Sequence, residues 1–175
     1  SHMILSDGMG NGSRAAVDSV MTCNLFLKLI KAGFGFESAL KLLNSSLLIK
    51  SGDESLATLD VGCIDLYTGQ AEFRKAGAAV SFVRKGGLVS RIGDPSLPVG
   101  ILQGIDYNRS SVMLDSGDVV VMVSDGVLET GTEWVEAEME LYGDKSPKEL
   151  AEDICREAQR RRIDGHSDDI TVLAA

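Results

Sequence analysis

The sequence predicts an α+β layered domain, and three observations predict it. Apolar residues recur at intervals of three and four in two stretches near the start of the chain and in one near its end, as amphipathic helices require. Between them lie short runs rich in Val, Ile, Leu and Phe, separated by glycine, as strands require. Acidic residues then stand at the ends of apolar runs, at Asp7, Asp125 and Asp168.

The first apolar segment, Ile4 and Leu5, leads through Ser6 to Asp7 and then to Gly8, Gly10 and Gly12. This reads as a strand that delivers a carboxylate to a backbone-rich loop, where glycine lets main-chain groups approach a ligand closely. Residues 14–31 carry Ala16, Val20, Cys23, Phe26, Leu27 and Ile30 on one face of an amphipathic helix. Gly33 and Gly35 end it, and a second helix runs from about residue 37 through Leu40, Leu43, Leu47 and Leu48. The two form a helical hairpin beside the glycine loop.

Strands are expected over residues 55–65, 71–76, 80–84 and 88–92, as an antiparallel meander with a turn at Lys85-Gly86-Gly87. Residues 93–104 hold two of the three prolines and read as a loop. A hairpin is expected from strands 107–114 and 119–124 around Ser116-Gly117-Asp118. Its second strand, Val119-Val120-Val121-Met122-Val123, is continuously apolar and ends in Ser124-Asp125-Gly126, repeating the Ser6-Asp7-Gly8 grammar. A loop around residues 129–131 precedes a helix through Trp134, Val135 and Met139. Ser146-Pro147-Lys148-Glu149 is a capping box with proline in the first turn, opening a helix to about Arg162. A last strand over residues 170–174 follows Ser167-Asp168-Asp169.

One Asp-Gly after a strand is most often a turn. Two Ser-Asp-Gly strand ends together with an Asp-Asp strand start favour a shared site for a divalent cation of the Mg or Mn type, which takes carboxylate, carbonyl and water oxygens. The glycine loop does not complete a dinucleotide fingerprint, since position 13 is Ser, and no Lys follows it to make a P-loop.

The length of 175 residues, 44% hydrophobic content and mean hydropathy of +0.07 suit one buried core, hence one domain. A net charge of -9 and a pI near 4.7 argue against nucleic acid or an anionic membrane as partner. No run approaches the roughly 20 apolar residues of a membrane span, and no secretory signal precedes the first strand, so a cytoplasmic setting is expected. Cys23, Cys63 and Cys155 have neither zinc spacing nor disulfide pairing. Residues 1–3, Ser-His-Met, read as a cloning remnant, leaving residues 4–175 as the domain.

The ordered set Leu5-Ser6-Asp7-Gly8-Met9-Gly10-Asn11-Gly12, Val123-Ser124-Asp125-Gly126 and Ser167-Asp168-Asp169-Ile170-Thr171-Val172 resembles the metal-dependent PPM or PP2C protein phosphatases. The likeness is greatest to the bacterial branch of stage II sporulation protein E and the stress-response phosphatases. Ala57-Thr58-Leu59-Asp60, Lys75-Ala76-Gly77-Ala78-Ala79 and Leu97-Pro98-Val99-Gly100-Ile101 extend it across the chain.

The resemblance implies a four-layer α-β-β-α sandwich of two antiparallel sheets flanked by helices. It implies serine/threonine phosphatase activity, by a water activated between two Mn2+ or Mg2+ ions about 3.5 to 4 Å apart. Asp7 would bridge the ions, the Gly8 carbonyl would hold one, and Asp125 and Asp168 the other. Asp169 would hydrogen-bond outside the coordination sphere.

Met9 stands where eukaryotic members carry a histidine proposed as general acid. The family's further acidic ligand, upstream of the first Asp-Gly, is not in this sequence, so the expectation is an N-terminally truncated domain holding one ion or none, with weak or no activity. The implied substrate is a phosphorylated anti-anti-sigma factor, in control of sporulation or stress sigma factors. The helical hairpin would control metal binding and serve a homodimer, and the domain would be the cytoplasmic part of a larger, membrane-attached protein.

Two other readings stand beside this one, a non-catalytic interaction module of the same fold and a metal-dependent phosphohydrolase of small molecules. His166 reads as an exposed loop residue rather than a base. Arg160-Arg161-Arg162 reads as charge complementing a helix C-terminus rather than a phosphate clamp. Asp60, on a strand, has two readings, support of the site and a plain structural role, of which the second is favoured.

Overall fold

The computed structural model describes residues 1–10, 12–50, 56–102, 104, 106–143, 145–162 and 168–175. His166, Ser167 and the expected start of a strand at Ser55 lie outside the described residues. In order, the elements are β1 (His2–Leu5), α1 (Ser13–Lys31), α2 (Phe36–Lys50), β2 (Leu59–Ile64), β3 (Gln70–Ala76), β4 (Ser81–Lys85) and β5 (Leu88–Ile92). They continue with β6 (Asn108–Met113), β7 (Val119–Val123), α3 (Asp125–Leu128), α4 (Glu133–Glu140), α5 (Pro147–Arg161) and β8 (Val172–Ala174).

The strands form two four-stranded sheets, ordered β1-β2-β3-β6 and β5-β4-β7-β8, with every pairing antiparallel. The described buried apolar side chains fall into three clusters, and these separate four layers. Phe26, Leu40, Leu43 and Leu47 of α1 and α2 pack on Leu59, Val61 and Ala76, the outer face of the first sheet. Met3, Leu5, Ala71 and Phe73 meet Val83, Val120 and Met122 between the sheets. Phe82, Val119, Val121 and Val123 cover the other outer face against Trp134, Val135 and Met139 of α4 and Leu150, Ile154 and Ala158 of α5.

The strand β7 states the geometry in one pentapeptide. Odd positions face the helices, even positions face the opposite sheet, and all five residues are buried because both faces are covered while β4 and β8 flank the edges.

The helices carry the expected signals. Ser146 Oγ accepts from the Glu149 amide while the Glu149 carboxylate accepts from the Ser146 amide, so the capping box opens α5. Lys28 and Lys31 stand in the last turn of α1, and Gly33, at φ 90°, follows its end. Arg160 and Arg161 both pair with Glu157, and Arg161 lies 5.1 Å from the Trp134 ring centroid, so these cations serve α5 and its packing.

Two expectations about strand pairing are corrected. β2 and β3 pair, as do β4 and β5, but the meander breaks between β3 and β4, which lie in different sheets. β6 and β7 do not form a hairpin: β6 pairs with β3 at the edge of one sheet, and β7 with β4 and β8 inside the other. Burial explains the second case. β6 alternates between half-buried and exposed positions as an edge strand can, whereas β7 is apolar throughout and requires cover on both faces.

Candidate metal centre

The first acidic strand end is fixed by β2. The Asp7 amide donates to Thr58 Oγ1 at 2.7 Å, the Thr58 amide donates to the Asp7 carbonyl at 2.7 Å, and Ser6 Oγ donates to the Thr58 carbonyl at 2.6 Å. The pairing continues as isolated bridges from Gly8 to Ala57 and from Ala57 to Val99. Gly8 is required by close approach, because a Cβ there would lie 1.9 Å from the Ala15 carbonyl oxygen in the first turns of α1. Gly10 and Gly12 hold φ of 100° and 85°, the left-handed region in which glycine alone is unstrained. The glycine spacing therefore serves two purposes: Gly8 admits the helix, and the other two turn the chain into it.

The second and third acidic positions are held together by Ser124. Its Oγ donates to the Asp169 carbonyl at 2.7 Å and accepts from the Thr171 amide at 3.0 Å, while its own amide donates to the Thr171 carbonyl at 3.0 Å. Gly126 leaves room for this, since a Cβ would come within 2.6 Å of the Asp169 carbonyl oxygen and 3.2 Å of Asp168 Cβ. Asp125 opens the single turn α3, where the sequence suggested only a strand end. Asp169 contributes through its backbone to the Ser124 clasp, and its amide donates to Asp168 Oδ1 at 3.2 Å.

Asp7, Asp125, Asp168 and Asp169 act on one another. The Asp7 carboxyl is pushed up to about 6, first by burial, then by the Asp125 carboxylate and the hydrogen bond shared with it, then by Asp168 and Asp169. Asp7 Oδ2 is buried without a hydrogen-bond partner among the described residues. Beneath these groups lies a cavity of about 20 Å³, lined in part by Asp7, Thr58, Asp60, Ser124 and Asp125.

Among the described residues, no three His, Cys, Asp or Glu side chains already close on a common point as a finished chelate. The donor chemistry nonetheless suits a hard cation. Mutually repelling carboxylates, one with an orphaned buried oxygen, gain most from a divalent charge among them.

Sequence reasoning favoured a plain structural role for Asp60 over support of the site and did not single out Ser81. Asp60, Lys75 and Ser81 are each almost wholly buried and joined by hydrogen bonds, and Asp60 also lines the cavity beside Asp7 and Asp125. The signal available was an aspartate and a lysine in strands that are otherwise apolar on their inward faces. Their register, Asp60 opposite Lys75, appears only once β2 and β3 are paired.

A profile of the family Stage II sporulation protein E (SpoIIE) matches residues 1–175. The chain is 34% identical over 175 residues to stage II sporulation protein E of Bacillus subtilis, covering 97% of this chain and 21% of that protein. It is 32% identical over 179 residues to the protein of the same name from Priestia megaterium, covering 99% of this chain and 31% of that protein. It thus spans well under half the length of these curated relatives.

Among solved structures, it superposes on the PP2C phosphatase domain with a regulatory-domain fragment of SpoIIE from Bacillus subtilis. The TM-score is 0.84 at 34% identity, over 99% of this chain and 53% of that one. The serine/threonine phosphatase PstP/Ppp of Mycobacterium tuberculosis has the same fold at 16% identity, with a TM-score of 0.79 over 99% of this chain and 86% of that one. The two sheets and flanking helices are therefore the PP2C phosphatase architecture.

Proposed function

Because the chain belongs to the stage II sporulation protein E family, we propose that residues 4–175 form a metal-dependent serine/threonine protein phosphatase domain hydrolysing a phosphoserine on a protein of the anti-anti-sigma type. The observation that carries this reading is the gathering of Asp125, Asp168 and Asp169 about the partly buried Asp7, whose carboxyl is pushed up to about 6 by burial first and by these carboxylates next. Asp7, the Gly8 carbonyl, Asp125 and Asp168 are the proposed ligands of Mn2+ or Mg2+.

Bound cations would supply Lewis acidity toward the phosphoryl oxygens and lower the pKa of a water. The chain's own part is placement. Thr58 fixes the backbone on which Asp7 stands, and Ser124 fixes the segment carrying Asp168 against the one carrying Asp125. Gly8 and Gly126 let these backbones approach. Met9, half-exposed in the loop after Asp7, offers no proton, so protonation of the leaving serine oxygen falls to water or another group.

The test is release of inorganic phosphate from a phosphoseryl anti-anti-sigma protein with Mn2+, by a form of this chain extended N-terminally to supply the further acidic ligand and by the Asp125→Asn variant of that form. Loss of at least about 100-fold in the variant, with the fold retained by circular dichroism, is expected from removing a charged ligand. Equal rates in both would end the phosphatase reading.

A further inference from the structure

Asp60 and Lys75 face each other across β2 and β3 and are each 1% exposed. The Lys75 ammonium donates to Asp60 Oδ2 and, at 2.8 Å, to Ser81 Oγ of β4, and Ser81 Oγ donates to the same Asp60 oxygen at 3.2 Å. The cluster thus joins the two sheets. Space for the lysine stem is made by Gly93, where a Cβ would come within 2.6 Å of Lys75 Cδ. Burial pushes the Asp60 carboxyl up and the Lys75 ammonium down, while each partner opposes the shift of the other.

Ion pairs buried this deeply contribute little net stability compared with apolar side chains of the same shape, so their presence calls for another reason. The second Asp60 oxygen suggests one. Both donors attend Oδ2, and Oδ1 is buried with no partner among the described residues. Asp7 Oδ2 is in the same condition, and both residues line the cavity of about 20 Å³ below the acidic site. A space of that size takes one water molecule, whose two hydrogens suit two orphaned carboxylate oxygens.

We propose that Asp60 is a positioning residue of the metal centre: its Oδ1 accepts a hydrogen bond from a single buried water that also donates to Asp7 Oδ2, fixing the orientation of the Asp7 carboxylate. Lys75 and Ser81 serve by occupying Oδ2, which leaves Oδ1 for the cavity. The inference rests on the proposed role of Asp7 as a ligand and adds a residue and a water to it.

The test is Mn2+ titration by calorimetry on the wild-type chain, Asp125→Asn, Asp60→Val and the double variant Asp60→Val/Lys75→Met. Valine occupies much the same space and offers the cavity water neither an acceptor nor a donor. The double variant removes both buried charges and nearly keeps the volume, so it tolerates the change better than the single variant, which strands the lysine. Each variant that folds by circular dichroism is expected to bind Mn2+ about 10-fold more weakly, the lower end for removing an outer hydrogen-bonding partner of a ligand. Tb3+ luminescence lifetimes in H2O and D2O are expected to count the same number of coordinated waters as in wild type.

A folded double variant with wild-type Mn2+ affinity would overturn the proposal, leaving the cluster as packing only. One additional coordinated water on Tb3+ would overturn it differently, by making Asp60 a direct ligand. Absence of Mn2+ binding both in this chain and in a form extended N-terminally to supply the further acidic ligand, or equal binding in wild type and Asp125→Asn, would overturn the phosphatase reading and this proposal with it.

Discussion

The most consequential residue is Asp7, because its carboxyl is raised to about 6 against an ordinary value of 3.8. The unfolded chain loses this proton near the ordinary value, while the folded chain keeps it until about pH 6. Between these limits the native state holds more protons than the unfolded one, so metal-free stability falls as pH rises. Thermal melts without metal are expected to give a higher Tm at pH 5 than at pH 7.5, and Asp7→Asn should shrink that difference. Added Mn2+ should reverse the order, since the cation binds the ionised form.

Gly8 gives a second expectation at this scale. Gly8→Ala places a Cβ against the Ala15 carbonyl, so α1 or the loop must move. Overpacking of this kind costs about 1–3 kcal/mol, to be read by urea unfolding, and Mn2+ affinity should fall with it.

Among the elements, the pair α1 and α2 is joined at its far end by Lys50, whose ammonium donates to Asp18 at 2.6 Å. Asp18 is almost wholly buried, whereas the lysine side chain is about a third exposed, at 37%. Lys50→Ala would leave the aspartate buried without its cation and cost about 2 kcal/mol, a figure already reduced for the partly solvated lysine. Denaturant unfolding measures it. Because the first turns of α1 abut Gly8, a parallel change in Mn2+ affinity is expected from a substitution far from any carboxylate.

The legibility of elements followed how locally each is encoded. The helices were plain in the sequence because periodicity, the capping box at Ser146 and the glycines after Lys31 are all contained within a few residues. Strand positions were also readable, and only their partners were not. Alternation in β3 states which residues face inward, but not that the chain crosses from one sheet to the other between β3 and β4. The three acidic positions could be found because each adjoins an apolar run. Asp60, Lys75 and Ser81 could not be joined, because their association depends on register and on the stacking of two sheets.

At the scale of the molecule, the acidic site lies across the seam between the sheets. Asp7 follows β1, an edge strand of one sheet among the described strands, whereas Asp125 follows β7 and Asp168 precedes β8 in the other. A cation held by all three would act as a rivet through two plates. Its dissociation constant would then be a strain gauge, reading how far one plate has slid over the other, and a bound ion would resist that sliding in turn. Hydrogen exchange offers the check: on addition of Mn2+, amides of β1 and β8 should slow together although the two strands belong to different sheets, while those of β5 and β6, remote from the rivet, should keep their rates.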